Sequence, residues 1–124
     1  MLYLSKQDCE AKGVSITSDL IRGHTEGIIL SHLHRGDSYG YEINKSIQEK
    51  TGGRYELKEA TLYSAFRRME GAGLIRSYWG DKDTGARRRY YSITALGRQV
   101  LEQHLADWAE AKDLIDRLLT ASTR

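Results

Sequence analysis

A chain of 124 residues with a net charge of +2, one cysteine and no proline is sized for a single domain with a modest core. No apolar run reaches the length of a membrane span, and the first residues lack the charged-then-apolar pattern of a secretion signal. Cys9 has no second cysteine to pair with, which fits a reducing cytoplasm and excludes a disulfide-built fold.

Residues 1–16 carry no clear period and read as an N-terminal arm. Thr17 or Ser18 can cap a helix running to about His34, with Leu20, Ile21, Ile28, Ile29, Leu30 and Leu33 as its apolar positions. Gly23 and Gly27 weaken that helix intrinsically and so point to close approach of a partner element. Arg35-Gly-Asp-Ser38 is turn chemistry, with Gly36 suited to a helix C-terminus and Ser38 to the next N-cap. A second helix from about Tyr39 to Lys50 puts Tyr39, Ile43 and Ile47 on one face and ends at Gly52-Gly53.

The third helix, Glu59 to about Gly71, buries Leu62, Ala65, Phe66 and Met69 at positions i, i+3, i+4 and i+7. Leu74 to Trp79 and Arg89 to Ile93 are rich in aromatic and β-branched residues and read as the two strands of a hairpin. A last helix begins near Ala95 behind Thr94 as N-cap and continues to about Thr120. Its apolar stripe includes Leu101, Leu105, Trp108, Leu114, Ile115, Leu118 and Leu119. That helix is too long to pack along its whole length against so small a body, so a second copy is expected to cover it. The expected fold is mainly α with one small β-hairpin: a winged helix-turn-helix over residues 17–94, then a dimerisation helix over 95–124.

Dividing the charge locates its source. Residues 54–98 hold ten Lys and Arg against five Asp and Glu, a local excess of +5, whereas residues 1–53 sum to −1 and residues 99–124 to −2. The positive excess lies on the third helix and the hairpin, where it attracts phosphate. The outer face of the third helix carries Ala60, Ser64 and Arg67, with Thr61, Tyr63 and Arg68 on its shoulders. Small residues let a helix sit close to base edges, Arg67 or Arg68 can reach guanine or phosphate, and Thr61 and Tyr63 suit phosphate oxygens. Lys82, Arg87, Arg88 and Arg89 near the hairpin tip can engage phosphates or a narrow minor groove. Strand alternation forbids all three arginines from pointing the same way, so one of them can brace the fold instead. Tyr39 and Lys45 on the second helix complete the expected DNA face.

These motifs together resemble the PadR family of bacterial winged-helix transcription regulators. The matching residues are Arg22-Gly-His-Thr-Glu-Gly-Ile-Ile-Leu30, Tyr39-Gly-Tyr-Glu-Ile43 and Gly52-Gly-Arg-Tyr-Glu-Leu57. They continue with Ala60-Thr-Leu-Tyr63, Arg68-Met-Glu70, Gly73-Leu-Ile75, and Arg87-Arg-Arg-Tyr-Tyr-Ser-Ile-Thr94 with Gly97. Many relatives carry a proline before the second helix and another after Thr-Leu-Tyr, where this chain has Asp37 or Ser38 and Ser64. The resemblance implies a cytoplasmic, nucleoid-associated homodimer that binds double-stranded DNA at an inverted repeat, represses transcription and needs no cofactor. It also implies two recognition helices roughly 34 Å apart, one turn of DNA.

The chain looks especially like a multidrug-sensing branch of that family, in which paired tryptophans from the dimer helix sandwich planar aromatic molecules. On that likeness Trp108 is the effector-binding residue, and His104, Ala111 and Lys112 lie within about one turn of it. The alternative is that Trp108 simply fills the dimer core.

Catalysis has little to stand on. There is no phosphate-cradling glycine loop, Cys9 has no evident partner base, and His32 and His34, two apart on a helix, share no face for a metal. A winged helix that binds a protein and never touches DNA is the remaining alternative.

Overall fold

The computed structural model describes residues 16–81 and 87–120. Residues 1–15 of the expected 1–16 arm and the tip residue Lys82 lie outside them, and Ile16 opens the first helix. Helices α1 (Ile16–Arg22), α2 (Thr25–His34), α3 (Gly40–Lys50) and α4 (Glu59–Gly71) precede strands β1 (Ile75–Asp81) and β2 (Arg87–Ile93), and the 26-residue helix α5 (Ala95–Thr120) closes the order. The fold is mainly helical with one two-stranded antiparallel hairpin, as the sequence pattern requires.

The core gathers one stripe from each helix of the body. Ile29, Leu30 and Leu33 of α2 meet Ile43 and Ile47 of α3, and Leu62, Ala65, Phe66 and Met69 of α4. Leu57, Leu74, Ile75, Tyr91 and Ile93 close it, and Leu101 is its one member from α5. Phe66 is fully buried, with its ring stacked on Tyr91 at a centroid distance of 3.9 Å. Between α3 and α4 the chain is pinned by Asn44, whose side-chain amide donates to the Leu57 carbonyl and whose Oδ1 accepts from the Leu57 N–H. The turn before it needs Gly52 and Gly53, at φ +62° and +79°.

Three expectations are corrected. The single helix ending at His34 is two helices, broken at Gly23-His24. The Thr25 hydroxyl donates to the Arg22 carbonyl, and the His24 ring leaves the helix line to meet α5. Gly27 does mark a close approach, since a Cβ there would lie 2.5 Å from the His104 ring. Gly23 does not, because a Cβ there would meet only the Leu20 carbonyl at 3.5 Å.

The second correction concerns Ser38, which is not the N-cap of α3. Tyr39 takes that position without a side-chain cap bond, and Ser38 is 1% exposed. The Ser38 N–H donates to the Tyr91 carbonyl and the Tyr91 N–H returns the bond, so Ser38 adds a one-residue third strand beside β2. Its hydroxyl donates to Glu42 and accepts from His32 Nε2 at 3.2 Å.

Third, both strands are longer at the tip than the aromatic run implied, and Leu74 packs in the core ahead of β1. The ladder runs from Ile75↔Ile93 to Asp81↔Arg87, which places Arg87 and Arg88 within β2 and not in the turn.

The start of α5 follows expectation. Thr94 Oγ1 accepts from the Gly97 N–H at 3.0 Å, while the Thr94 hydroxyl and N–H both reach back to carbonyls of Gly73 and Leu74. Gly97 is required here: a Cβ would lie 2.2 Å from the Leu74 carbonyl oxygen. Beyond Leu101 the helix departs from the core, and Leu105, Trp108, Leu114, Ile115, Leu118 and Leu119 are all exposed, Leu118 by 80%.

Candidate nucleic-acid interface

The polar face of α4 lies outward. Ala60, Tyr63, Arg67 and Arg68 are exposed, and Thr61 and Ser64 are half-buried. These positions follow from the burial of Leu62, Ala65, Phe66 and Met69 on the opposite side. Arg68 is already engaged, its Nε 3.2 Å from Glu26 Oε2 on α2.

The hairpin divides its arginines between two faces. Directly paired residues share a face, so Trp79, Arg89 and Arg87 lie on one side and Arg88 and Tyr90 on the other. Arg87 and Arg89 stand over the Trp79 ring at 5.3 and 5.5 Å. Arg89 is the brace. It donates to Ser77 Oγ at 2.8 Å, Ser77 donates to Glu70 at 2.7 Å, and this ties the hairpin to the end of α4.

Arg88 crosses to the helices, with its guanidinium 3.7 Å from the centroid of the Tyr39 ring. Tyr39 is edge-on to Tyr90, and Tyr90 stacks on Tyr78. The Tyr78 hydroxyl donates to Asp37 at 2.6 Å, and that bond to a carboxylate raises the phenol above its ordinary pKa. Two glycines permit the packing. A Cβ on Gly40 would meet Tyr63 Oη at 2.7 Å, and one on Gly80 would meet the Tyr90 ring at 2.7 Å.

Tyr39, Gly40, Tyr41, Tyr63, Arg88 and Arg89 thereby line a cleft of about 440 Å³. Three phenols and the Arg88 guanidinium at one opening can hold an anion such as a DNA phosphate. Lys45 belongs to a neighbouring cleft of about 320 Å³ between α3 and α4, with Lys58 and Glu59. Tyr41, 71% exposed and shared by both clefts, was missed by the sequence reading. Its one visible signal was the Tyr-Gly-Tyr spacing at the start of a helix.

On α5, His104 and Ala111 are half-buried while Trp108 and Lys112 are exposed, Trp108 by 45%. Spacings of three, four and seven put His104, Trp108 and Ala111 on one face. The residue missed here is His24. Its Nδ1 lies 3.0 Å from His104 Nε2, and its ring is edge-on to both His104 and Trp108 at centroid distances of 5.1 and 5.0 Å.

Residues 29–103 match the PadR-like family of transcriptional regulators. The chain belongs to this family. An uncharacterised protein of Lysinibacillus sphaericus is 45% identical over 82% of this chain and 93% of its own length. A transcriptional regulator from Clostridium thermocellum is 48% identical, with a TM-score of 0.77 over 85% of this chain and 99% of that one. A PadR family transcription regulator from Clostridium difficile is 36% identical, with a TM-score of 0.67 over 77% and 98% of the two chains. PadR-like proteins are DNA-binding transcriptional regulators and not enzymes. Among the described residues no group of three or more His, Cys, Asp or Glu is placed to hold a metal, and no helix is long and apolar enough to cross a membrane.

Proposed function

We propose that this PadR-like chain is a homodimeric repressor that binds an inverted repeat, with α4 in the major groove and the β1–β2 wing on the adjoining backbone. The observation that carries this reading is the Arg88–Tyr39 contact. It joins wing, α3 and the Tyr63 shoulder of α4 into one anion-binding cleft next to the polar face of α4. Arg67 and Ser64 face the bases; Thr61, Tyr39, Tyr63, Arg87 and Arg88 take phosphates, with Lys45 and Arg68 at the margins. Pairing along α5 covers the exposed stripe from Leu105 to Leu119 and sets two heads on one face of the duplex.

The same helix supports an effector reading. Trp108 offers an exposed indole face beside the His24–His104 pair, with Ala111 and Lys112 close by, and a planar aromatic molecule between two symmetry-related tryptophans would be held on both faces. Its binding releases the operator.

Fluorescence anisotropy of the dimer against its own upstream DNA tests the first part. Binding is expected to exceed that of scrambled duplex, and Arg87→Ala with Arg88→Ala to weaken it and flatten its salt dependence by about two in slope. Equal affinity for scrambled DNA would overturn the operator reading, and DNA affinity unchanged by the arginine substitutions would leave a winged helix that binds protein. For the effector, planar aromatics are expected to quench Trp108, and unchanged ligand affinity in Trp108→Ala would return that residue to the dimer core.

A further inference from the structure

Four consecutive residues, His24 to Gly27, touch two distant helices, α5 and α4. His24 meets the Trp108 indole edge-on at 5.0 Å and shares a 3.0 Å hydrogen bond with His104. Two residues later, Glu26 Oε2 holds Arg68 of the recognition helix at 3.2 Å. One residue further, Gly27 receives the His104 ring so closely that a Cβ would stand 2.5 Å from it. The stretch begins at the break between α1 and α2, directly after Gly23.

From these contacts we infer that the His24–Gly27 segment couples Trp108 to Arg68. His24 acts as a positioning residue, and the Glu26–Arg68 ion pair is the element it biases. The inference rests on the regulator reading above and names the route by which the dimer helix governs DNA contact.

The physical steps are short. His104 is pressed against the α2 backbone and cannot yield toward it, so displacement of Trp108 is transmitted through the His24 ring. His24 sits at the start of α2, and Glu26 in its first turn moves with it. An exposed ion pair is weak, so a DNA phosphate competes for Arg68 on nearly equal terms. A small shift of Glu26 is therefore enough to change which partner Arg68 takes. In one state Arg68 pairs with Glu26; in the other it reaches the operator backbone.

Linkage requires the coupling to run both ways: if Trp108 governs Arg68, operator binding must alter the surroundings of Trp108. The chain has two tryptophans, so 5-fluorotryptophan labelling gives two ¹⁹F resonances, assigned with Trp108→Phe. Trp79 lies on the wing between Arg87 and Arg89 and reports DNA contact; Trp108 reports the coupling.

Operator duplex is expected to move both resonances in the unmodified protein. His24→Ala is expected to leave the Trp79 shift in place and to remove most of the Trp108 shift. Because His24 is half-buried, Glu26→Gln on the exposed ion pair serves as the second variant. It is expected to tighten operator binding about 3- to 10-fold, by freeing Arg68 and deleting a negative charge near phosphate, and to silence Trp108 equally. A Trp108 resonance that ignores DNA while Trp79 responds would overturn the coupling, as would full Trp108 shifts in both variants. If neither resonance moves and no duplex binds, the DNA reading itself has failed.

Discussion

The winged-helix body and the helix behind it satisfy their apolar residues by opposite means. From Ile29 to Ile93 the body buries its large side chains against one another, and Phe66, Ile43 and Leu30 are sealed within a single chain. In α5 only Gly97 and Leu101 are buried, while six large apolar residues from Leu105 onward face outward. The body is thus stabilised by its own sequence, and α5 by whatever covers it. In the proposed dimer assembly and folding are separable: damage to the body would cost stability, whereas damage to the far end of α5 would cost association.

The sharpest test of that contrast is Phe66→Ala. It removes a fully buried ring stacked on Tyr91 and is expected to cost about 3–5 kcal/mol, a large fall in thermal midpoint independent of protein concentration. Leu118→Asp together with Ile115→Asp is expected to do the reverse. The secondary structure of the body should persist while sedimentation shows a lighter species, and operator affinity should fall by about tenfold or more through loss of the second head. Unfolding of the body by these α5 changes would break the comparison.

A smaller effect is expected at the junction. Gly97→Ala forces a methyl against the Leu74 carbonyl and the Ile93 side chain, at about 1–3 kcal/mol, read as a shifted denaturant midpoint. The smallest concerns His32, whose pKa burial lowers from 6.5 against the opposing pull of Glu42. Below pH 6.5 the unfolded chain takes up a proton at His32 that the folded chain resists. Stability should therefore fall as pH drops through that value toward the lowered native pKa and be unaffected above it. His32→Gln should flatten this part of the stability profile, and an unchanged slope would remove His32 from it.

What the sequence disclosed and what it concealed divide by the range of the contacts. Helix α4 was legible to the residue, because Leu62, Ala65, Phe66 and Met69 repeat at helical spacing and Gly71 ends the pattern. Thr94 as a cap and the bare stripe of α5 were equally local signals. The break at Gly23-His24 was not legible, since the ring that stabilises it packs on residues 80 and more positions away. Ser38 deceived for the same reason. A serine ahead of a helix reads as a cap, but its backbone is claimed by Tyr91, far along the chain. Tyr39 and Arg88 were each singled out, yet nothing in the order of residues says that one stacks on the other.

The buried Ser38 has a last consequence. With His32 and Glu42 on its hydroxyl and Tyr91 on its backbone, it fastens the end of α2, the start of α3 and the root of the wing at one point. Phe66 of α4 stacks on the same Tyr91, so in the proposed docking α4 and the wing are two prongs anchored at one residue. A duplex whose grooves did not match their spacing would then have to twist or bend to meet both. Sequences that deform easily between the prongs would be preferred even where no side chain touches them.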